Sequence, residues 1–250
     1  MTTRRVLALL LAALGITALV VLVGGFVWLA TPQPLLPEAE AALASTPTVS
    51  VADDEGTLTF TPAGSDPSVG LIFYPGGKVL PAAYAPAAQA IAGAGYLVVV
   101  PAMPLNLAVL GAGAARDIIA AHPGVGTWAI GGHSLGGAMA GQYAADHPGS
   151  VAGLVLWAAY PAASVSGQPI AATSIYGTLD RGVPGFTSGE TRAKLPAGAV
   201  FVPIEGGNHE QMGWYTGQPN DPPAAISREE QQSQAVAATL DLLRLLGSVP

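Results

Sequence analysis

The sequence predicts an α/β domain, one mainly parallel sheet with helices on both faces, preceded by one long apolar helix at the N-terminus. Three observations lead there. From residue 49 onward, short apolar runs alternate with helical stretches. Most of those runs are apolar without a break, as strands buried on both faces are. Residues 6–30 form 25 consecutive positions without a charge.

The elements follow in chain order. Residues 57–61 (Thr-Leu-Thr-Phe-Thr) alternate with period two and read as an antiparallel edge strand. Residues 70–74 are a continuous run stopped by Pro75-Gly76-Gly77, as expected of a buried strand. An Ala-rich helix is expected over 82–92, a strand over 96–100 and a helix over 111–121. A strand over 127–132 leads into a helix over 134–146, and strands follow over 151–158 and 171–176. A short helix over 187–195, a strand over 199–204 and a long helix over 227–246 complete the domain. The last helix opens on Ser227-Arg228-Glu229-Glu230, the form of a capping box. The gap between 158 and 171 is too short for a helical cap, and no internal repeat or second domain is visible.

The N-terminal run has the length of a membrane span. As a helix it would extend about 37 Å, against a hydrocarbon core of about 30 Å. It is too long for the apolar region of a cleaved signal peptide. Arg4 and Arg5 precede it, and no Lys or Arg lies between 31 and 77. A single-pass anchor with a cytoplasmic N-terminus and an extracytoplasmic domain is therefore expected, with Trp28 at the far interface. Pro32, Pro34, Pro37 and Pro47 mark 31–47 as a semi-rigid spacer, within which Pro37 can open a short helix. The expected plan is an anchor over 1–30, a linker over 31–47 and one domain over 48–250.

Charge narrows the partners. Charged residues are only 10% of the chain. Beyond residue 30 there are seven basic and all sixteen acidic side chains, a net of −9. Without a basic cluster the domain is a poor match for nucleic acid. The chain has no cysteine, which excludes disulfides, thiolate nucleophiles and Cys-ligated metals.

The strongest chemical signal is Gly131-Gly132-His133-Ser134-Leu135-Gly136-Gly137. It contains Gly-x-Ser-x-Gly between a predicted strand and a predicted helix, the context that gives this pattern meaning. A turn this tight strains the serine backbone and lifts its hydroxyl above the sheet, and the flanking glycines remove side chains that would collide. A serine hydroxyl needs a base. Of the four histidines, His122 and His147 precede prolines at helix ends, and His133 lies inside the turn, pointing the wrong way. His209 remains, on a loop after the last strand. Asp180 follows the preceding strand, so the order Ser134, Asp180, His209 suits a parallel sheet whose loops share one edge. Glu205 and Glu210 are rival acids, but one sits at the strand end and the other adjoins His209. Two N–H donors for an oxyanion are expected from Leu135 and, across the site, Gly77. Gly124-Val125-Gly126 imitates a dinucleotide fingerprint but precedes a strand instead of following one. The histidines and acids show no metal-ligand spacing. Trp214 and Tyr215, on a Gly/Pro-rich loop after His209, are expected to wall an open, shallow acyl pocket that favours short chains.

With these motifs in place the chain resembles the α/β-hydrolase superfamily, and within it the dienelactone-hydrolase-like branch of small membrane-anchored hydrolases. The resemblance spans about residues 68–246. It is carried by Phe73-Tyr74-Pro75-Gly76-Gly77, the seven-residue turn at Ser134, Tyr176-Gly177-Thr178-Leu179-Asp180 and Gly206-Gly207-Asn208-His209. It implies an α/β-hydrolase fold and a cofactor-free serine hydrolase acting on a small ester-like substrate, with Ser134, His209 and Asp180 as nucleophile, base and acid. The dienelactone hydrolases themselves use a cysteine that this chain lacks, and Pro75 stands where many relatives have histidine. Acyl transfer or perhydrolysis on the same triad is an alternative, as is a non-catalytic, membrane-tethered binding module.

Overall fold

The computed structural model describes residues 3–248; within the first helix, side chains are described at 10–11, 14–27 and 30. The chain divides into two compact units at Pro32/Gln33.

The first unit is α1, Thr3–Ala30, 28 residues long. Its described apolar side chains, Leu14, Ile16, Leu19 and Phe26 among them, are exposed. Among the described residues no helix is long and apolar enough to cross a membrane. The longest unbroken described stretch, 14–27, would extend only about 21 Å. The transmembrane segment expected from the sequence is therefore not shown here. The side chains of Arg4, Arg5 and Trp28, on which the expected orientation rests, lie outside the described residues.

Among the described residues the second unit is built on eight strands: β1 Val49–Asp54, β2 Thr57–Pro62, β3 Val69–Tyr74, β4 Leu97–Val100, β5 Thr127–His133, β6 Gly153–Trp157, β7 Ala171–Gly177 and β8 Val200–Ile204. They form one sheet in the order β1-β2-β4-β3-β5-β6-β7-β8. All neighbours from β4 to β8 run parallel, while β2 is antiparallel to both β1 and β4. Side chains alternate between faces with period two, so a continuous apolar run feeds two cores. Leu71 and Phe73 of β3 join Val98, Val100 and Trp157 on one face, and Ile72 and Tyr74 join Val99, Ile130 and Leu156 on the other. Helices α3 (Ala85–Gly93) and α8 (Arg228–Gly247) close the first core through Ile91, Ala235 and Leu242. Helices α4 (Ala114–Ala121) and α5 (Leu135–Asp146) close the second through Ala115, Ala140 and Tyr143. At the start of α8 the Ser227 hydroxyl accepts the Glu230 N–H, as the capping sequence predicts.

Three expectations need correction. The strand at 57–61 is not an edge, because β1 pairs along its whole length. The acidic, exposed end of β1 hides its strand character, and those charges guard the true edge. The helix expected over 187–195 is the shorter α7 (Gly189–Lys194), capped by Ser188, and a separate turn of helix, α6 (Val183–Phe186), precedes it. The spacer expected over 31–47 belongs to the compact unit from Gln33 onward. The Gln33 N–H donates to the Lys78 carbonyl, Leu36 N–H to Trp214 and Thr216 N–H to Pro34, while Leu35 bridges Tyr215. Pro37 opens the short helix α2 (Pro37–Ala41), which buries Ala39 completely. Apolar residues among the prolines give this segment a reason to pack. Between β6 and β7, residues 158–170 contain no helix, so no cap lies over the sheet's C-terminal edge.

Candidate active site

The C-terminal ends of β3, β5, β6, β7 and β8 open on the same side, where ligand sites of parallel sheets form. Ser134 alone joins β5 to α5, with φ 52° and ψ −120°, a conformation costly for any residue with a side chain. The surrounding glycines are a steric requirement. A Cβ on Gly132 would stand 2.6 Å from the Tyr74 carbonyl oxygen, one on Gly137 2.5 Å from the Ala159 methyl, and one on Gly136 would overlap the Tyr74 and Pro75 carbonyls.

Ser134, Asp180 and His209 line one open cavity of about 490 Å³. Asp180 Oδ2 lies 2.6 Å from His209 Nδ1, with 4% of the aspartate side chain and 13% of the histidine exposed. The other oxygen, Oδ1, accepts the Gly182 N–H at 2.7 Å. A carboxylate beside Nδ1 holds the ring proton there, so Nε2 of the neutral ring carries a lone pair. Among the described residues no hydrogen bond joins Ser134 Oγ to His209. The rival acids are engaged elsewhere: Glu210 holds Arg228 and the Gln218 N–H, and Glu205 is exposed.

The loop carrying His209 is stitched by side chains that the motif reading did not select. Gln231 of α8 both donates to the Asn208 carbonyl and accepts its N–H. Asp221 accepts the His209 N–H at 3.3 Å and the Glu210 N–H at 2.7 Å. It also lines the cavity, and burial pushes its carboxyl above the ordinary value. Arg228 donates to the carbonyls of Glu210 and Gly213.

Leu135, the first residue of α5, has an N–H without a helical acceptor, as every helix start does. Gly77 approaches it closely, since a Cβ there would stand 3.4 Å from the Leu135 side chain. Among the described backbone bonds, Gly77 N–H donates to no protein acceptor. The turn around it is held by Lys78 N–H to Asn106 O, Val79 N–H to Gly76 O and Gly76 N–H to the Tyr84 hydroxyl.

Trp214 and Tyr215 do not line the cavity. Tyr215 is fully buried, with its hydroxyl on Gln218, and Trp214 is 7% exposed, with its backbone N–H on the Ala83 carbonyl. They pack the loop down, pinned from outside by residues 34–36. The aromatic walls are Tyr160, after β6, and Phe186, in α6, with ring centroids 6.4 Å apart. Their positions just beyond strand ends on the open edge were the available signal. His133, set aside as a base, is buried beside the site with its ring centroid 4.5 Å from that of His209. Burial first, and then the neighbouring His209, hold its pKa well below the ordinary imidazole value. Among the described residues no group of three or more His, Asp or Glu side chains could hold a metal ion.

The model of the alpha/beta hydrolase family matches residues 70–233, about two thirds of the chain, which therefore belongs to that family. No curated protein matches it. Solved structures that share the fold include the following two. A predicted CIB-like hydrolase from Thermoplasma acidophilum is 20% identical, with 79% of this chain and 100% of that one covered and a TM-score of 0.59. Est1E from Butyrivibrio proteoclasticus is 13% identical, with 79% and 99% covered and a TM-score of 0.54. These matches do not single out the dienelactone-hydrolase-like branch.

Proposed function

We propose that this alpha/beta hydrolase cleaves a small carboxylic ester, or a related acyl compound, through an acyl-enzyme on Ser134. The observation that carries the reading is the 2.6 Å contact of Asp180 with His209 Nδ1, in the cavity that Ser134 also lines. His209 Nε2 takes the Ser134 proton as Oγ bonds to the substrate carbonyl carbon. The oxyanion so formed is received by the N–H groups of Leu135 and Gly77, and Asp180 stabilises the imidazolium. The carbonyl re-forms as the bond to the alcohol oxygen breaks, and His209 returns its proton to that oxygen. Water repeats the cycle on the acyl-enzyme: His209 takes its proton, its oxygen attacks, and Ser134 leaves reprotonated. No step calls for a cofactor. The open, uncapped cavity and the walls formed by Tyr160 and Phe186 favour short acyl chains.

The same acyl-enzyme could pass its acyl group to another acceptor or to peroxide, and a binding module could keep this fold without turnover. A fluorophosphonate probe separates the enzymes from the module. Covalent labelling that disappears in Ser134→Ala supports the hydrolase, and an unlabelled native protein rejects it.

The uncharged run at 6–30, preceded by Arg4 and Arg5, supports a second part of the proposal: a single-pass anchor with the domain outside the cytoplasm. Full-length protein should then resist alkaline extraction from membranes, and protease added to wall-stripped cells should reach the domain. Protection of a membrane-retained protein would reverse the orientation.

A further inference from the structure

A chain of buried polar groups runs beneath the nucleophile turn. The Gly76 N–H donates to the Tyr84 hydroxyl oxygen at 2.9 Å, and the same oxygen lies 2.9 Å from His133 Nδ1. Tyr84 and His133 are both buried. With the Gly76 N–H already on the oxygen, the tyrosine proton has one acceptor in reach, His133 Nδ1. The imidazole proton must then sit on Nε2. Among the described residues that nitrogen is buried without a hydrogen-bond partner, on a ring packed against His209.

Packing alone does not call for these polar atoms. Tyr84 lies against Phe73 at 5.1 Å between ring centroids, and Phe73 against Trp157 at 4.8 Å, contacts that a phenylalanine at 84 would also make. What the hydroxyl adds is its hold on Gly76. The backbone there rests directly on the pair: a Cβ on Gly76 would stand 2.9 Å from His133 Nδ1 and 3.1 Å from the Tyr84 oxygen. The Gly76 carbonyl, on the other side, accepts the Val79 N–H at 3.1 Å. That carbonyl and the Gly77 N–H belong to one planar peptide unit. Fixing Gly76 at its nitrogen and its oxygen therefore fixes the direction of the Gly77 N–H.

We infer that Tyr84 and His133 are positioning residues that aim the Gly77 N–H at the reaction oxyanion and tie the turn bearing it to the ring of the base. The inference rests on the serine-hydrolase reading of the same cavity. An oxyanion donor acts only when its direction is set before the charge appears, and loss of one such donor costs about 10²- to 10³-fold in rate. A misdirected donor should cost somewhat less.

The test is Tyr84→Phe in the full chain, assayed on a short-chain p-nitrophenyl ester and with an alkyl trifluoromethyl ketone, which forms a tetrahedral oxyanion on an active serine. Expected is a fall in kcat of about 10- to 100-fold with KM within about twofold, and a matching loss of ketone affinity. A merely structural role would lower the melting temperature but leave ketone affinity of the folded protein intact. Wild-type kcat and ketone affinity in Tyr84→Phe would overturn the inference. Should that variant not fold, two others decide. His133→Asn keeps an acceptor near the Nδ1 position and should recover most of the activity lost in His133→Leu; equal activity of the two would overturn it. A native protein that neither labels with fluorophosphonate nor turns over ester removes the hydrolase reading and this inference with it. An active native protein beside an unaffected Tyr84→Phe rejects the inference alone.

Discussion

The proposed nucleophile and the proposed base are held by opposite means. Ser134 sits where it does because three glycines let backbone approach backbone, and the turn is made of sterics. His209 sits on a loop whose backbone groups are gripped by Asp221, Arg228 and Gln231, side chains up to 22 positions from it in the chain. Steric construction fails all at once, because a methyl group has nowhere to go. A polar network loses one hydrogen bond at a time.

The largest effect tests the steric half. Gly136→Ala drives a methyl onto the Tyr74 and Pro75 carbonyls and should yield no folded protein, as read by circular dichroism and soluble yield. A stable, active Gly136→Ala would end the contrast. Next come the reacting groups, where the two halves meet. Ser134→Ala and His209→Ala should each cut turnover by about 10⁴-fold or more, with the double variant little worse, and Asp180→Asn should lose about 10⁴-fold through the wrong imidazole tautomer.

Within the polar half the losses should be graded. Asp221→Asn keeps the shape of the clamp but replaces a carboxylate that accepts two N–H groups. We expect kcat to fall about tenfold and stability by about 1 kcal/mol, measured by initial rates and urea unfolding. A loss as large as that of Asp180→Asn would make Asp221 a reacting group.

A pH titration reaches the buried imidazole between the two halves. The His133 pKa is lower folded than unfolded, so below about pH 6.5 the unfolded chain binds the extra proton and stability falls as the medium is acidified. Asp221, raised by burial, acts in the opposite sense at lower pH. Unfolding free energy should fall as the pH drops from about 6.5, and His133→Asn should flatten that limb. An unchanged slope would mean that another group titrates. The smallest expected effect concerns specificity. Tyr160→Ala should shift chain-length preference a few-fold, whereas Trp214→Phe should leave it alone. The reverse outcome would move the acyl wall back to the loop after His209.

What was legible in the sequence follows the same division. Turn sterics and strand apolarity are written in neighbouring residues, so the tight turn at Ser134, the loops that bring Asp180 and His209 to the same edge, and β3 to β8 could be read directly. The misreadings involve partners far apart in sequence or masked by surface charge. β1 carries its acids on an exposed edge. Trp214 and Tyr215 have the composition of a binding wall, and only residues 34–36 and Ala83, crossing from elsewhere, turn them inward. Tyr84 reads as one more helix-entry aromatic until Gly76 and His133 converge on its hydroxyl. Asp221 sits in an Asn-Asp-Pro-Pro stretch that reads as a turn, and nothing local announces the two amides it receives.

The pairing of Leu35 with Tyr215 also sets an order of events during synthesis. Its two partners lie 180 positions apart, so the first segment of the domain to leave the ribosome waits for one of the last. At about 5–20 residues per second that wait is roughly ten to forty seconds. For that time Leu35 has no partner to bridge, while every strand from β1 to β8 is being made. A segment made early in the domain is therefore fastened only when one made late arrives.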